Sequence, residues 1–187
     1  MIVGVIGTSG PFDRLVDGLA SYAAVHPDQA VWVQHGRSHL PAPLTGEAFV
    51  GREALLDRMD HAQAIVCHAG CGTLVDALSK GHLPVVMPRL ARFGEHVNDH
   101  QLELLRALGD AGRIIPVDDV RDLGAAIDRA RARGRRVEVG EGAFALTSAL
   151  SDDLRDLDAS ERGGAAWRWS ALRILTGWIP RRGHHWP

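Results

Sequence analysis

Short apolar runs, each closed by glycine or proline and most followed by a stretch of helical spacing, recur along most of this 187-residue chain. An apolar run without polar alternation is the pattern of a strand buried on both faces. Such strands belong to parallel sheets covered by helices. The first run, Ile2 to Ile6, leads into Gly7-Thr8-Ser9-Gly10, and Phe12 to Ala24 then places Phe12, Leu15, Val16, Leu19 and Tyr22 on one helical face. Strands are predicted at Ala30 to Gln34, Gly46 to Val50, Ala64 to His68, Pro84 to Met87 and Ile114 to Val117, with helices at Glu53 to His61, Leu74 to Lys80, Asn98 to Leu108 and Val120 to Arg133. Gly81 stands where a glycine ends a helix in the left-handed conformation. This alternation predicts an α/β fold: a Rossmann-like parallel sheet with helices on both faces and right-handed crossovers.

Composition narrows the function classes. The formal net charge is −2, which argues against a general nucleic-acid binder. The two cysteines, Cys67 and Cys71, lie at a strand-to-helix turn with no second pair to complete a zinc site, so they are expected reduced, as in a cytosolic protein. The first residues read as a buried strand rather than a signal peptide, and no run of about 18 apolar residues exists to span a membrane. Residues 1–150 are expected to form one ligand-binding domain. Residues 151–187 change character: a polar, acidic stretch ending in Gly163-Gly164 precedes a segment with four of the five tryptophans and several arginines. That segment is expected either to pack back on the domain as a helix or to dock on a partner or a membrane surface.

Parallel sheets bind ligands beyond the carboxyl ends of their strands. Two glycine turns emerge there, Gly7-Thr8-Ser9-Gly10 and Ala69-Gly70-Cys71-Gly72-Thr73. Glycine lets backbone approach a phosphate, and the following helix offers N–H groups and a positive dipole end; Thr73 adds a hydroxyl and a candidate cap. Each loop taken alone reads equally well as a tight turn. Gly4, Gly7 and Gly10 give G-x-x-G-x-x-G rather than the dinucleotide G-x-G-x-x-G, and the second strand ends in Gln34 instead of an acidic residue for a ribose. Neither a P-loop nor a nucleophile elbow is present. The dense polar stretch Arg89 to Gln101 follows a buried strand, so Glu95, His96, Asn98, Asp99 and Gln101 can meet a sugar's hydroxyls and Arg89 a phosphate. His96 and His100 at i, i+4 form a conceivable metal pair, but no carboxylates complete it, and no metal is assigned.

In order, HAGCGTLVDALSKGHLPVVMPR and GEHVNDHQLELLRAL resemble the C-terminal domain of glycosyltransferase family 28, the MurG-like UDP-sugar transferases. The nearest likeness is to stand-alone catalytic subunits: the PssE-like subunits of bacterial exopolysaccharide glycosyltransferases and the catalytic subunit of the eukaryotic dolichol-linked UDP-N-acetylglucosamine transferase. The resemblance runs from Ile2 to about Val120. It implies the C-terminal half of a GT-B fold that holds a UDP-sugar donor. It places Gly7, Thr8 and Ser9 under the diphosphate, Phe49 and Val50 at the uracil, and His68, Gly70, Gly72 and Thr73 near the phosphates. Asp76 takes the place of a ribose-holding glutamate one methylene longer. Glu95, His96, Asn98 and Gln101 fall in the stretch that meets the donor sugar.

The resemblance further implies an inverting transfer to a lipid-linked sugar acceptor in exopolysaccharide or capsule synthesis, without cofactor or metal. The half that binds the acceptor in MurG-like enzymes is not expected within these 187 residues. A membrane-anchored partner subunit is therefore expected to supply it, together with the general base, for which Glu95 and His96 are local candidates. The chain is then expected in the cytoplasm, peripheral at the inner face of the membrane through that partner. Two rival classes are a nucleotide-sugar-binding module that regulates a partner without catalysis, and a two-domain epimerase, which needs a second Rossmann-like half.

Overall fold

The computed structural model describes residues 1–96 and 100–134. In chain order its elements are β1 (Ile2–Val5), α1 (Asp13–Val25), β2 (Val31–Gln34), β3 (Thr45–Glu47), α2 (Arg52–Asp60), β4 (Ala64–His68), α3 (Cys71–Ser79), β5 (Val85–Met87), α4 (His100–Asp110), β6 (Ile115–Pro116) and α5 (Leu123–Arg133). All adjacent strands are parallel, in the order β3-β2-β1-β4-β5-β6. The expected Rossmann-like α/β sheet is therefore present. The Trp/Arg-rich segment and the boundary near residue 150 lie outside the described residues.

Strict alternation along β1, β2, β4 and β5 builds the two cores. Ile2, Ile6, Val31, Val33, Ala64, Val66, Val85 and Met87 face α1 and α5, whose Leu15, Leu19, Leu123 and Ile127 are fully buried against them. Val3, Val5, Trp32, Ile65, Cys67 and Val86 face the other way, onto Met59 of α2, Leu74 and Ala77 of α3, and Leu105 and Leu108 of α4. Because both sheet faces are covered, the strands read as continuous apolar runs. Gly4 belongs to this packing rather than to a ligand loop. A Cβ there would lie 2.8 Å from Leu19 Cδ1 and 3.2 Å from Val33 Cγ2, so its absence lets α1 settle on β1.

The order of strand addition reverses about β1: β2 and β3 build out on one side, then β4, β5 and β6 on the other. That reversal is the topological switch point, where the loops after β1 and β4 diverge and leave a crevice. Element boundaries differ from expectation where local hydrogen bonds decide them. The third strand stops at Glu47; successive donors His35 N–H to Glu47 O and Gly36 N–H to Ala48 O break the ladder's alternation there, and Phe49 and Val50 sit in a connector. The helix after β4 starts at Cys71, not Leu74, since Gly70 is extended (φ −83°, ψ 124°) and already accepts from Leu74 N–H. Thr73 is thus inside the first turn and caps nothing; Gly70 is the cap residue, and no side chain caps this helix. Before α5, a 3-10 turn covers Val120–Asp122, its start held by the Asp119 carboxylate accepting from Arg121 N–H.

Candidate functional site

At the switch point a cleft of about 290 Å³ opens between the loop after β1 and the first turn of α3. It brings together Gly7, Thr8, Ser9, Phe49, Val50, His68, Gly70, Gly72 and Thr73, all singled out in the sequence, and adds Val5, Gln34, Leu55 and Cys71. Arg89, Glu95, Gln101, Asp76 and His96 do not line it, and Asn98 and Asp99 lie outside the described residues. Among the described residues, no lysine or arginine lines the cleft. The uncapped first turn of α3 presents backbone N–H groups and the positive end of the helix dipole, the arrangement that receives anions. Val50, Leu55 and the half-exposed Phe49 give the other end an apolar wall.

The loop after β1 is gripped from three directions. The Gln34 amide pairs with the Gly7 peptide: Gly7 N–H donates to Oε1 at 3.0 Å and Nε2 donates to Gly7 O at 3.3 Å, while Nε2 also donates to Ala48 O at 2.8 Å. Ser38 Oγ accepts from Phe12 N–H at 2.6 Å. Arg89 is 1% exposed, and its guanidinium donates to Ile6 O, Gly10 O and Pro11 O at 2.7–3.0 Å. Arg89 therefore sits behind the loop with its Nη1 and Nη2 donors on carbonyls, rather than in the cleft.

His68 is wedged between the two loops. A Cβ at Gly7 would come within 2.7 Å of its ring, and one at Gly70 within 2.0 Å of Nε2; Gly7 also has φ +83°. These two glycines make room for the imidazole. His68 Nδ1 lies 3.4 Å from Val5 O. Burial, and then the Arg89 cation, push its pKa down to about 4, so the ring is neutral at physiological pH. Burial drives the Cys67 thiol up to about 12 and raises Cys71 as well, so neither is a ready thiolate.

The remaining polar residues form a latch beside the cleft. Glu95 takes Arg14 bidentately, Nε at 3.0 Å and Nη2 at 2.8 Å, and also accepts from Leu90 N–H. Gln101 Oε1 accepts from Arg89 N–H at 2.9 Å. The Phe12 ring lies against both Arg14 and Arg89, at 5.2 and 4.9 Å. Asp76, one helical turn beyond Gly72, is buried and accepts from Arg52 Nη2 at 2.6 Å. Sequence reasoning missed Arg14, Ser38 and Arg52, whose partners are distant in the chain. Gln34 was marked only as a departure from the dinucleotide pattern. Among the described residues no group of three or more His, Cys, Asp or Glu is placed to hold a metal ion.

Residues 2–138 match the family model described as the glycosyltransferase family 28 C-terminal domain. No curated protein matches the chain. Among solved structures the chain is similar to the glycotransferase of kitacinnamycin, with a TM-score of 0.52 at 20% identity. That likeness, which at this identity speaks for the fold alone, covers 92% of this chain and 42% of the other, so the chain spans less than half of that protein's length.

Proposed function

Given that the chain belongs to the glycosyltransferase family 28 C-terminal domain family, we propose that its cleft holds the nucleoside diphosphate of a sugar donor, specifically a UDP-sugar. The observation that carries this is the convergence of the β1 loop and the uncapped α3 N-terminus on one cleft whose lining, among the described residues, holds no lysine or arginine. Backbone N–H groups can follow the shape of a diphosphate there, while Phe49 and Val50 offer the base an apolar edge. Asp76 lies on the same face of α3 as Gly72, and we assign it to the ribose, for which it would first have to release Arg52.

The reaction is a direct displacement with inversion at the anomeric carbon. A hydroxyl oxygen of a lipid-linked sugar acceptor forms the new bond as the bond to the phosphate oxygen breaks, and UDP leaves with the electron pair. Negative charge grows on the diphosphate, where preorganised N–H dipoles stabilise the transition state most. No cofactor or metal ion is assigned to this step. The acceptor proton passes to a base on a second, membrane-anchored subunit that also binds the acceptor. Glu95 and His96 are the local alternatives, but Glu95 would first have to leave Arg14. Among the described residues no helix is long and apolar enough to cross a membrane, and the partner is what brings the chain to the cytoplasmic membrane face for exopolysaccharide or capsule synthesis.

Calorimetric titration of the full chain with UDP, NAD and ATP tests the donor assignment. Selective UDP binding supports it. Preference for NAD, or no nucleotide binding, overturns it.

A further inference from the structure

The residue that ends β2 is a recurrent ligand position in parallel sheets of this order, where an acidic side chain holds a dinucleotide's ribose. Here that residue is Gln34, 4% exposed, and its amide is turned onto the protein. Oε1 accepts from Gly7 N–H, and Nε2 donates to Gly7 O and to Ala48 O. Gly7 opens the phosphate-side loop, and Ala48 precedes Phe49 and Val50 on the opposite side of the cleft. One side chain thus ties together the two walls between which a nucleoside diphosphate would lie. A trans peptide carries its C=O and N–H on opposite sides. Fixing the Gly7 carbonyl on Gln34 therefore turns the Thr8 N–H away from Gln34 and sets its direction.

We propose that Gln34 is a positioning residue that sets the spacing between the base side and the phosphate side of the cleft, so that the two ends of a nucleoside diphosphate bind together better than either alone. This rests on the donor-cleft reading above. Gln34 touches neither reacting atom; it acts through Gly7 and Ala48. A carboxamide is required for this grip because it supplies an acceptor and two donors in one plane. An acidic residue would face two carbonyl oxygens with no proton to give.

The test compares the affinities of uridine and UDP for wild type and for Gln34→Met, which keeps the side chain's length and removes its hydrogen bonds. The expected result is a roughly tenfold weaker UDP affinity with uridine affinity within about twofold, because only the longer ligand needs both walls in register. Gln34→Glu gives an independent readout and serves also if the methionine variant does not fold. Burial raises the pKa of such a carboxyl, so acidification from pH 8 to pH 5 restores one O–H donor and should narrow its UDP deficit relative to wild type at the same pH. No UDP binding by the wild type would overturn the donor cleft and the role of Gln34 with it. Wild-type UDP binding with uridine and UDP equally affected, or neither, and with a pH-independent deficit in Gln34→Glu, would overturn the role of Gln34 alone.

Discussion

Gly70 and Gly72 are two residues apart, yet the structure separates their purposes. At Gly70 a Cβ would stand 2.0 Å from His68 Nε2, about 1 Å inside any contact that real side chains make. Its backbone is ordinary (φ −83°), so the whole penalty of Gly70→Ala is steric. Forcing a partly buried, wedged imidazole aside should cost about 3 kcal/mol, the upper end for overpacking, or roughly 6–12 °C in Tm for a domain of this size. At Gly72 a Cβ meets nothing within 4 Å, and the residue lies in the first turn of α3 on the cleft. Gly72→Ala should therefore gain about 0.5 kcal/mol from lower backbone entropy in the unfolded chain, raising Tm by about 1–2 °C. If the cleft takes a diphosphate as proposed, the same methyl stands in the phosphate's approach path, and UDP affinity should fall at least about tenfold. Scanning calorimetry and UDP titration on both variants check the pair. A Gly72→Ala variant that binds UDP as wild type does, or a Gly70→Ala variant with unchanged Tm, would refute the reasoning.

Arg89→Met should lower stability by about 3 kcal/mol or more in denaturant unfolding, because the carbonyls of Ile6, Gly10 and Pro11 lose a charged donor inside the protein. His68 makes stability pH-dependent: its pKa is depressed from 6.5 to about 4 on folding, so the unfolded state binds the proton first. The stability it leaves intact above pH 6.5 is lost as pH falls toward 4, up to about 3 kcal/mol, and His68→Gln should flatten that slope. Asp76→Ala should weaken UDP about tenfold while leaving uracil binding unchanged if the carboxylate meets the ribose; equal UDP affinity would remove Asp76 from the site.

The fold was legible because both faces of the sheet are covered. Ile2 to Ile6, Ala64 to His68 and Val85 to Met87 announce themselves as apolar runs, and the spacing of Leu15 and Leu19 marks the helix between. Where local hydrogen bonds set an end, periodicity failed. Nothing in the letters of CGT says that Gly70, not Thr73, is the cap of α3. The lining of the cleft was readable in part, since glycine turns at strand ends and the paired family motifs point to Gly7 through Ser9 and His68 through Thr73. What stands behind the cleft was not. Arg14 meets Glu95 across 81 residues and Arg89 meets Gly10 across 79, and no local pattern encodes a side chain that reaches under a loop from another element. Arg89 shows the difficulty: an arginine near a phosphate loop reads as an anion ligand, whereas its donors here fall on carbonyls.

The most direct measurement of a donor cleft at the switch point is backbone amide chemical-shift mapping of the labelled full chain during titration with UDP. The largest shifts should fall on Thr8, Ser9, Gly72 and Thr73, with a second group at Phe49 and Val50. Shifts centred elsewhere, on α5 or the outer face of α1 for example, would contradict the assignment of this cleft.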